Sequence, residues 1–278
     1  MRSQQEKIAA FAALHRRSGA FVIPNPWDVG SARLLAALGF EALATTSGGY
    51  ANALGRMDGQ VTLDEKLGHC RALCAATSLP INADLENCFA DAPEAAARNL
   101  LRAAETGIAG ASSEDYSGDP AVGIYAFSLA VERVQAAVEA VRRLPLPIVI
   151  TARAENLLRG RIDLDDTIRR LQAYAAAGAD VLFAPGLTTL DQVRAVTAAV
   201  TLPVNVLAPL IPGVSVQALA AVGVKRISLG STLARAASSA LLRAAHELRD
   251  SGSFGWLNGI AGVAEMERLL AAGAAEPP

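Results

Sequence analysis

Apolar, strand-like runs alternate with longer helical segments eight times along this chain of 278 residues, and that repeat limits the fold more than any single motif. Strands are predicted at Phe21–Asn25, Glu41–Ser47, Pro80–Glu86, Gly110–Asp115, Pro147–Glu155, Asp180–Pro185, Pro203–Leu207 and Arg226–Gly230. The intervening segments are rich in Ala, Leu, Arg and Glu at helical spacing, as in Pro93–Glu105 and Leu164–Ala177. Strands that alternate with helices favour a parallel sheet. Eight such units predict a closed α/β barrel, the (β/α)8 TIM barrel, over an open sheet.

The punctuation agrees. Several helices end in a small-Gly-apolar step: Leu38-Gly39-Phe40, Thr106-Gly107-Ile108, Ala177-Gly178-Ala179 and Val222-Gly223-Val224. Glycine there accepts the left-handed C-cap conformation that a β-carbon resists. Elsewhere Leu-Pro stops a helix and starts extended chain, at Leu79-Pro80, Leu146-Pro147 and Leu202-Pro203. A doubly wound sheet would want a glycine-rich phosphate turn, and Ser47-Gly48-Gly49 lacks the GxGxxG spacing and the acid that should follow. No composition shift marks a boundary, so residues 1–278 read as one barrel domain. Helices at Ser231–Arg249 and Ala261–Ala272 exceed what eight units need, which makes about 231–278 an extension expected to pack on a neighbouring subunit.

Composition narrows the partners. Formal net charge is −2 and no basic run appears, so no nucleic-acid partner is expected. Apolar stretches are broken well before a membrane-spanning length, and the N-terminal MRSQQEKIAAFAALHRR has no signal-type apolar core. The expected location is the cytoplasm. Cys70, Cys74 and Cys88 are too few for a disulfide framework, and His15, His69 and His246 have no partners at zinc-ligand spacing.

The chemistry lies in charges placed late in predicted strands. Asp84 and Glu86 are two apart at the end of the third strand and so should share a face. Glu114 and Asp115 end the fourth, with Asp115 pointing opposite to Glu114; Arg153 and Glu155 end the fifth; Asn205 lies in the seventh. The loop after the second strand brings Thr45, Thr46, Ser47, Gly48 and Asp58. A barrel gathers these at the C-terminal face, where barrel enzymes place their sites. Converging carboxylates resist ionising together, and a hard divalent ion, Mg2+ or Mn2+, removes that conflict. Arg153 suits a substrate carboxylate, because its planar fork binds both oxygens. Metal and arginine together would hold a small 2-oxo acid, with charge at the keto oxygen stabilised as an enolate. The competing reading is a structural ion-pair network, with Arg153 and Glu155 paired to Asp84 or Glu86. Thr46 and Ser47 read either as turn residues or as donors to a substrate carboxylate, and Asp28 reads as the cap of a helix starting near Val29.

In this order the motifs resemble the isocitrate lyase and phosphoenolpyruvate mutase superfamily, over about Phe21 to Trp256. The resemblance rests on Asn25-Pro26-Trp27-Asp28, Ala44-Thr45-Thr46-Ser47-Gly48-Gly49, Leu54-Gly55-Arg56-Met57-Asp58-Gly59, Ala83-Asp84-Leu85-Glu86, Glu114-Asp115, Thr151-Ala152-Arg153-Ala154-Glu155, Pro203-Val204-Asn205-Val206-Leu207 and Arg226-Ile227-Ser228-Leu229-Gly230. It implies a barrel whose eighth helix is exchanged between subunits of a dimer or tetramer. It implies Mg2+ bound directly by Asp84, with Asp58, Glu86 and Glu114 contributing through water. Thr46, Ser47 and Gly48 would bind the substrate carboxylate or keto group, and Arg153 would be the substrate-binding arginine. Asp58, Glu114 and Arg153 are thereby the candidate catalytic residues, and Asn205 joins the substrate-binding set.

The chain also departs from the pattern. It has no Lys-Lys-Cys-Gly-His stretch of the lyases, no Asn or Lys in the 116–125 loop, and no His near Asn205. Cys88 sits in a different context and reads as a spectator. Three functions follow: a carbon–carbon lyase on a 2-oxo or 2-hydroxy acid, a phosphonate mutase or hydrolase, and a barrel that binds metal and acid without turnover.

Overall fold

In a computed structural model, which describes residues 2–275, the eight strands form one parallel sheet rolled into a barrel. They are β1 (Phe21–Ile23), β2 (Leu43–Ala44), β3 (Ile81–Asp84), β4 (Gly110–Glu114), β5 (Val149–Arg153), β6 (Val181–Phe183), β7 (Val204–Leu207) and β8 (Arg226–Ser228). Neighbours run β1-β8-β7-β6-β5-β4-β3-β2. Phe21 of β1 lies opposite Arg226 of β8, and the Ala44 amide donates to Pro24 O at 3.0 Å, which joins β2 back to β1. The expected TIM barrel is therefore the observed fold.

Helices follow the strands in turn. They are α1 (Gln4–Arg16), α2 (Val29–Ala37), α3 (Ser47–Ala53), α4 (Leu63–Ala76), α5 (Pro93–Ala104), α6 (Phe127–Arg142), α7 (Leu164–Ala176), α8 (Leu190–Ala199), α9 (Val216–Ala221), α10 (Thr232–Ser251) and α11 (Val263–Ala272). Local sequence sets their starts. Asp28 caps α2 as expected, its side chain accepting from the Ser31 amide, and Thr62 and Glu65 form a reciprocal cap on α4. On α5 the buried residues Ala96, Ala97, Leu100, Ala103 and Ala104 form one stripe against the barrel.

The strands end sooner than the sequence predicts. Thr46 caps α3 by accepting from the Gly49 amide, so the second strand closes at Ala44 instead of Ser47. The third closes at Asp84 because Glu86 has a positive φ of 52°, and the fifth closes at Arg153.

Alternation sorts the strand side chains. Ile81, Ala83, Ile150, Ala152, Val204, Val206 and Ile227 face the helices in the main core. Inside the barrel, Phe21, Ile23, Val149 and Val181 make an apolar floor sealed from below by Phe11 and Leu14 of α1. Gly110 makes this seal possible: a β-carbon there would lie 2.7 Å from the Phe11 ring and 2.9 Å from Asn82 Oδ1. Burying such side chains contributes about 1.5–3 kcal/mol each.

α10 leaves the barrel with Leu241 70% and Leu242 58% exposed, while α11 returns to pack on α2 of the same chain. Exchange of a helix between subunits is not seen in this single chain. Among the described residues no helix is long and apolar enough to cross a membrane.

Candidate active site

The C-terminal mouth gathers most of the expected charges around Arg153. The β4–β5 register sets Glu114 beside Arg153, and the β3–β4 register sets Asp84 beside Ser112. Arg153 Nη1 lies 3.5 Å from Asp84 Oδ1 and 3.3 Å from Glu114 Oε2, while its Nε donates to Glu155. Asp84 is fixed from the β2 side: the Ser47 amide donates to its Oδ2 at 3.1 Å, and its own amide donates to Thr45 Oγ1 at 2.9 Å. Burial pushes the Asp84 carboxyl up, but Arg153, the Lys66 ammonium and Ser47 outweigh it and hold it below the usual range. Burial works against the Arg153 charge as well, and Glu155, Glu114 and Asp84 more than restore it.

Two chambers meet at Arg153. The inner one, about 160 Å3, is lined by Asp84, Thr46, Ser47, Gly48, Asn205 and Arg226 among others. The outer one, about 250 Å3, is lined by Asp58, Glu86, Glu114, Tyr116 and Arg159. Ser47, Asp58 and Arg153 border both. Gly48 leaves room for Asp58, since a β-carbon there would come within 3.3 Å of Asp58 Oδ2.

Glu86 reaches the mouth by a different route from the expected one. It does not share an extended strand with Asp84; the left-handed turn carries it into the outer chamber, and the Glu114 amide holds its carbonyl at 2.9 Å. Its Oε1 is buried with no partner. Burial, opposed by Lys66 and reinforced by Asp84 and Asp58, pushes this carboxyl up to about 7. Burial raises Glu114 well above the usual range too, with Arg153 opposing and Glu155 and Asp84 adding to the rise. The expected ion pairing is present in part: Arg153 pairs with Asp84, Glu114 and Glu155, and not with Glu86.

Other expected residues sit in more committed places. Asn205 accepts from Arg226 Nε at 2.9 Å and donates to Ser228 Oγ at 3.0 Å. The Thr46 hydroxyl caps α3, and the Ser47 amide is spent on Asp84, while Ser47 and Gly48 line the chamber. Asp115 points away from the mouth as expected, toward Arg170 and Tyr174. Cys88, 1% exposed, belongs to the core outside the barrel.

Sequence reasoning missed Arg159 and Lys66. Arg159 donates to Glu155 at 3.1 Å, lies 3.7 Å from Glu114 and stacks 3.8 Å over the Tyr116 ring; its i, i+4 spacing from Glu155 was a usable signal. Lys66 is fully buried with no acceptor on its Nζ, although the periodicity of α4 already placed it with Leu67 and Cys70.

Among the described residues no three acidic, His or Cys side chains converge closely enough to clasp a metal by themselves. Mg2+ keeps several waters and takes only one or two carboxylates directly. The donor set, all oxygen, fits a hard ion, and the unpartnered Glu86 Oε1 fits a group awaiting a proton, a water or a cation.

Comparisons with known proteins complete the description. The sequence model described as phosphoenolpyruvate phosphomutase matches residues 11–249. A Burkholderia cenocepacia structure, provisionally assigned as a lyase or mutase, is 52% identical with a TM-score of 0.95 and covers 99% of both chains. Oxaloacetate decarboxylase of Rhodopseudomonas palustris is 30% identical over 90% of this chain and 87% of its own length. 2-Methylisocitrate lyase of Escherichia coli is 32% identical over 70% of this chain and 67% of its own.

Proposed function

The chain belongs to the phosphoenolpyruvate phosphomutase family, within the isocitrate lyase and phosphoenolpyruvate mutase superfamily of lyases, mutases and hydrolases, and from that premise we propose a Mg2+-dependent carbon–carbon lyase acting on a small 2-oxo or 2-hydroxy acid. The observation that carries this reading is the set of four carboxylates (Asp58, Asp84, Glu86, Glu114) gathered around Arg153 and Arg159 at the barrel mouth. Superfamily members are typically Mg2+-dependent, which supports the metal assignment. Asp84 would hold the ion directly, with Asp58, Glu86 and Glu114 acting through its waters. When bound, Mg2+ polarises the 2-oxo oxygen and stabilises charge that develops there as the neighbouring bond breaks.

The chain's own residues do the rest. Arg153 offers its fork to the substrate carboxylate, with the Ser47 hydroxyl and Gly48 on the opposite wall. Glu114, whose carboxyl burial raises well above the usual range, can deliver a proton to the enolate carbon after cleavage. Asp84 is kept ionised for the metal by Arg153, Lys66 and Ser47. As no lyase-type Cys stands at the mouth, a cleavage whose leaving group needs no strong acid fits best. We also propose a cytoplasmic homo-oligomer, dimer or tetramer, in which the exposed Leu241 and Leu242 of α10 are covered by a second copy.

One observation favours a phosphonate substrate instead: Arg159 brings a second guanidinium to Glu114, which suits a dianionic phosphonate. The deciding experiment incubates the protein and Mg2+ with oxaloacetate, 2-methylisocitrate, isocitrate, branched malates and phosphonopyruvate, with and without chelator. Chelator-sensitive pyruvate or glyoxylate release without phosphate is expected. Phosphate release overturns the lyase reading, and binding of a panel member without any turnover favours a binding protein.

A further inference from the structure

Another buried arginine lies deeper in the barrel than Arg153. Arg226 enters from the first position of β8, is 3% exposed, and reaches across the barrel interior. Its Nε donates to Asn205 on β7 at 2.9 Å and its Nη2 to Thr151 Oγ1 on β5 at 3.0 Å. Its Nη1 lies 3.5 Å from Nε2 of His15 on α1. His15 gives its Nδ1 hydrogen to Phe11 O at 2.8 Å, so Nε2 turns a lone pair toward the arginine. Burial and the Arg226 charge drive this imidazole down to about 3, which keeps it neutral.

A guanidinium carries five N–H donors. Three are met by these contacts, and among the described residues the other two have no acceptor. Among the described residues no carboxylate pairs with Arg226, and burial alone pushes it down to about 9. Arg153 and Arg170, by contrast, each face at least two carboxylates. A buried charge without a counter-ion is costly, and barrel interiors are usually filled by branched apolar side chains. Here the wall around Arg226 is polar: Asn82 is 3% exposed with an unpartnered Oδ1, and Ser112 Oγ makes only a 3.5 Å contact. All three line the inner chamber whose other end is Arg153.

We propose that Arg226 is a specificity-determining anion subsite at the bottom of the inner chamber, taking the second carboxylate of a short diacid whose 2-oxo or 2-hydroxy acid end is held at the mouth. This rests on the reading of the mouth given above. The second carboxylate of the correct ligand supplies the counter-charge that Arg226 lacks, and a monoacid of the same length leaves the arginine unpaired.

The test compares malate with 2-hydroxybutanoate, which has the same four-carbon chain without the second carboxylate, by calorimetry in Mg2+. Wild type is expected to bind malate at least about tenfold tighter, the worth of one charge-assisted hydrogen bond. Arg226→Gln should bring malate down to the affinity of 2-hydroxybutanoate. Asn205→Asp is the second variant, near-isosteric, and places a carboxylate against Arg226 Nε. It should melt higher than wild type and lose the preference too. Equal binding of the two ligands by wild type, or a preference that survives in a folded variant, overturns the subsite while the mouth reading stands. If wild type binds neither ligand, the mouth reading fails and the subsite falls with it.

Discussion

Two clusters of arginine and carboxylate flank the β4–β5 ladder, and they follow opposite rules. Behind the barrel wall, Arg170 lies between Asp115 and Asp166. Asp115 accepts from the Glu155 amide at 2.8 Å, from Arg170 at 3.0 Å and from the Tyr174 hydroxyl at 2.6 Å. Asp166 takes Arg170 and Arg169 on its two oxygens. Every carboxylate oxygen has a donor, and three arginines, Arg161, Arg169 and Arg170, face the two anions. Inside the barrel, Arg153 is set among Asp84, Glu114 and Glu155, two of its contacts are 3.3 and 3.5 Å long, and Glu86 is left with an unpartnered oxygen. The rear cluster is closed and the front one is open, with surplus negative charge facing a chamber. The difference teaches that buried ion pairs do not mark a site by themselves; imbalance next to a cavity does.

The largest effect that could break this contrast is at the rear. Arg170→Ala removes the cation between two buried carboxylates and should cost about 3–5 kcal/mol in urea unfolding. A loss below about 1 kcal/mol would show that the rear cluster does not hold the fold. At the front, Asp84→Ala should lower Mg2+ affinity by more than about 100-fold, since even outer partners of a metal cost 10–100-fold. The variant should still fold, because Arg153 retains Glu114 and Glu155. Mg2+ affinity equal to wild type in a fluorescence or calorimetric titration would sink the assignment of Asp84.

One carboxylate of the front cluster, Glu86, titrates in the opposite sense to Asp166 of the rear one. Asp166 is held below its usual 3.8: burial raises it, but Arg169 and Arg170 outweigh that. Its stabilisation is present above that value and is lost as pH falls. Glu86 is raised from 4.5 to about 7, so between those values the native protein holds a proton that the unfolded chain releases. The metal-free protein should therefore lose stability as pH rises through this window, by roughly 1–3 kcal/mol relative to Glu86→Gln. Parallel pH–stability curves for the two proteins in chelator would refute it. The smallest effect expected is Gly48→Ala. The added methyl crowds Asp58 and should lower kcat/KM by about tenfold, while the helix position gains up to about 1 kcal/mol. Full activity in that variant would free Asp58 from the site.

How much of this contrast could be read from the chain depends on the range of the forces involved. The eight strands were legible because alternation and C-cap glycines are local signals, and Asp115 and Glu114 were assigned to opposite faces by strand periodicity alone. Glu86 was assigned to the mouth for a reason that does not hold: a left-handed φ at a non-glycine residue leaves no mark in composition, so the strand was extended too far. The early end of β2 follows from Thr46 capping α3, a hydrogen bond that competes with strand continuation and is hard to weigh without coordinates. Arg170 and Arg226 stayed unread as site or scaffold, because the identity of a buried arginine's partners is set by elements far apart in sequence.

The α1 seal has a consequence for how the molecule is made. Lys225 donates to the Arg17 and Gly19 carbonyls across 208 and 206 residues, and Arg226 meets His15 across 211. Phe21 and its strand have no ladder partner until β8 exists. During synthesis the sealing helix emerges first, its apolar floor is complete only once β5 and β6 bring Val149 and Val181, and its polar ties wait for β8. Truncation after β7 would leave that floor in place but take from His15, from the Arg17 and Gly19 carbonyls and from the β1 edge their partners on and beside β8, an exposed edge that invites misassembly.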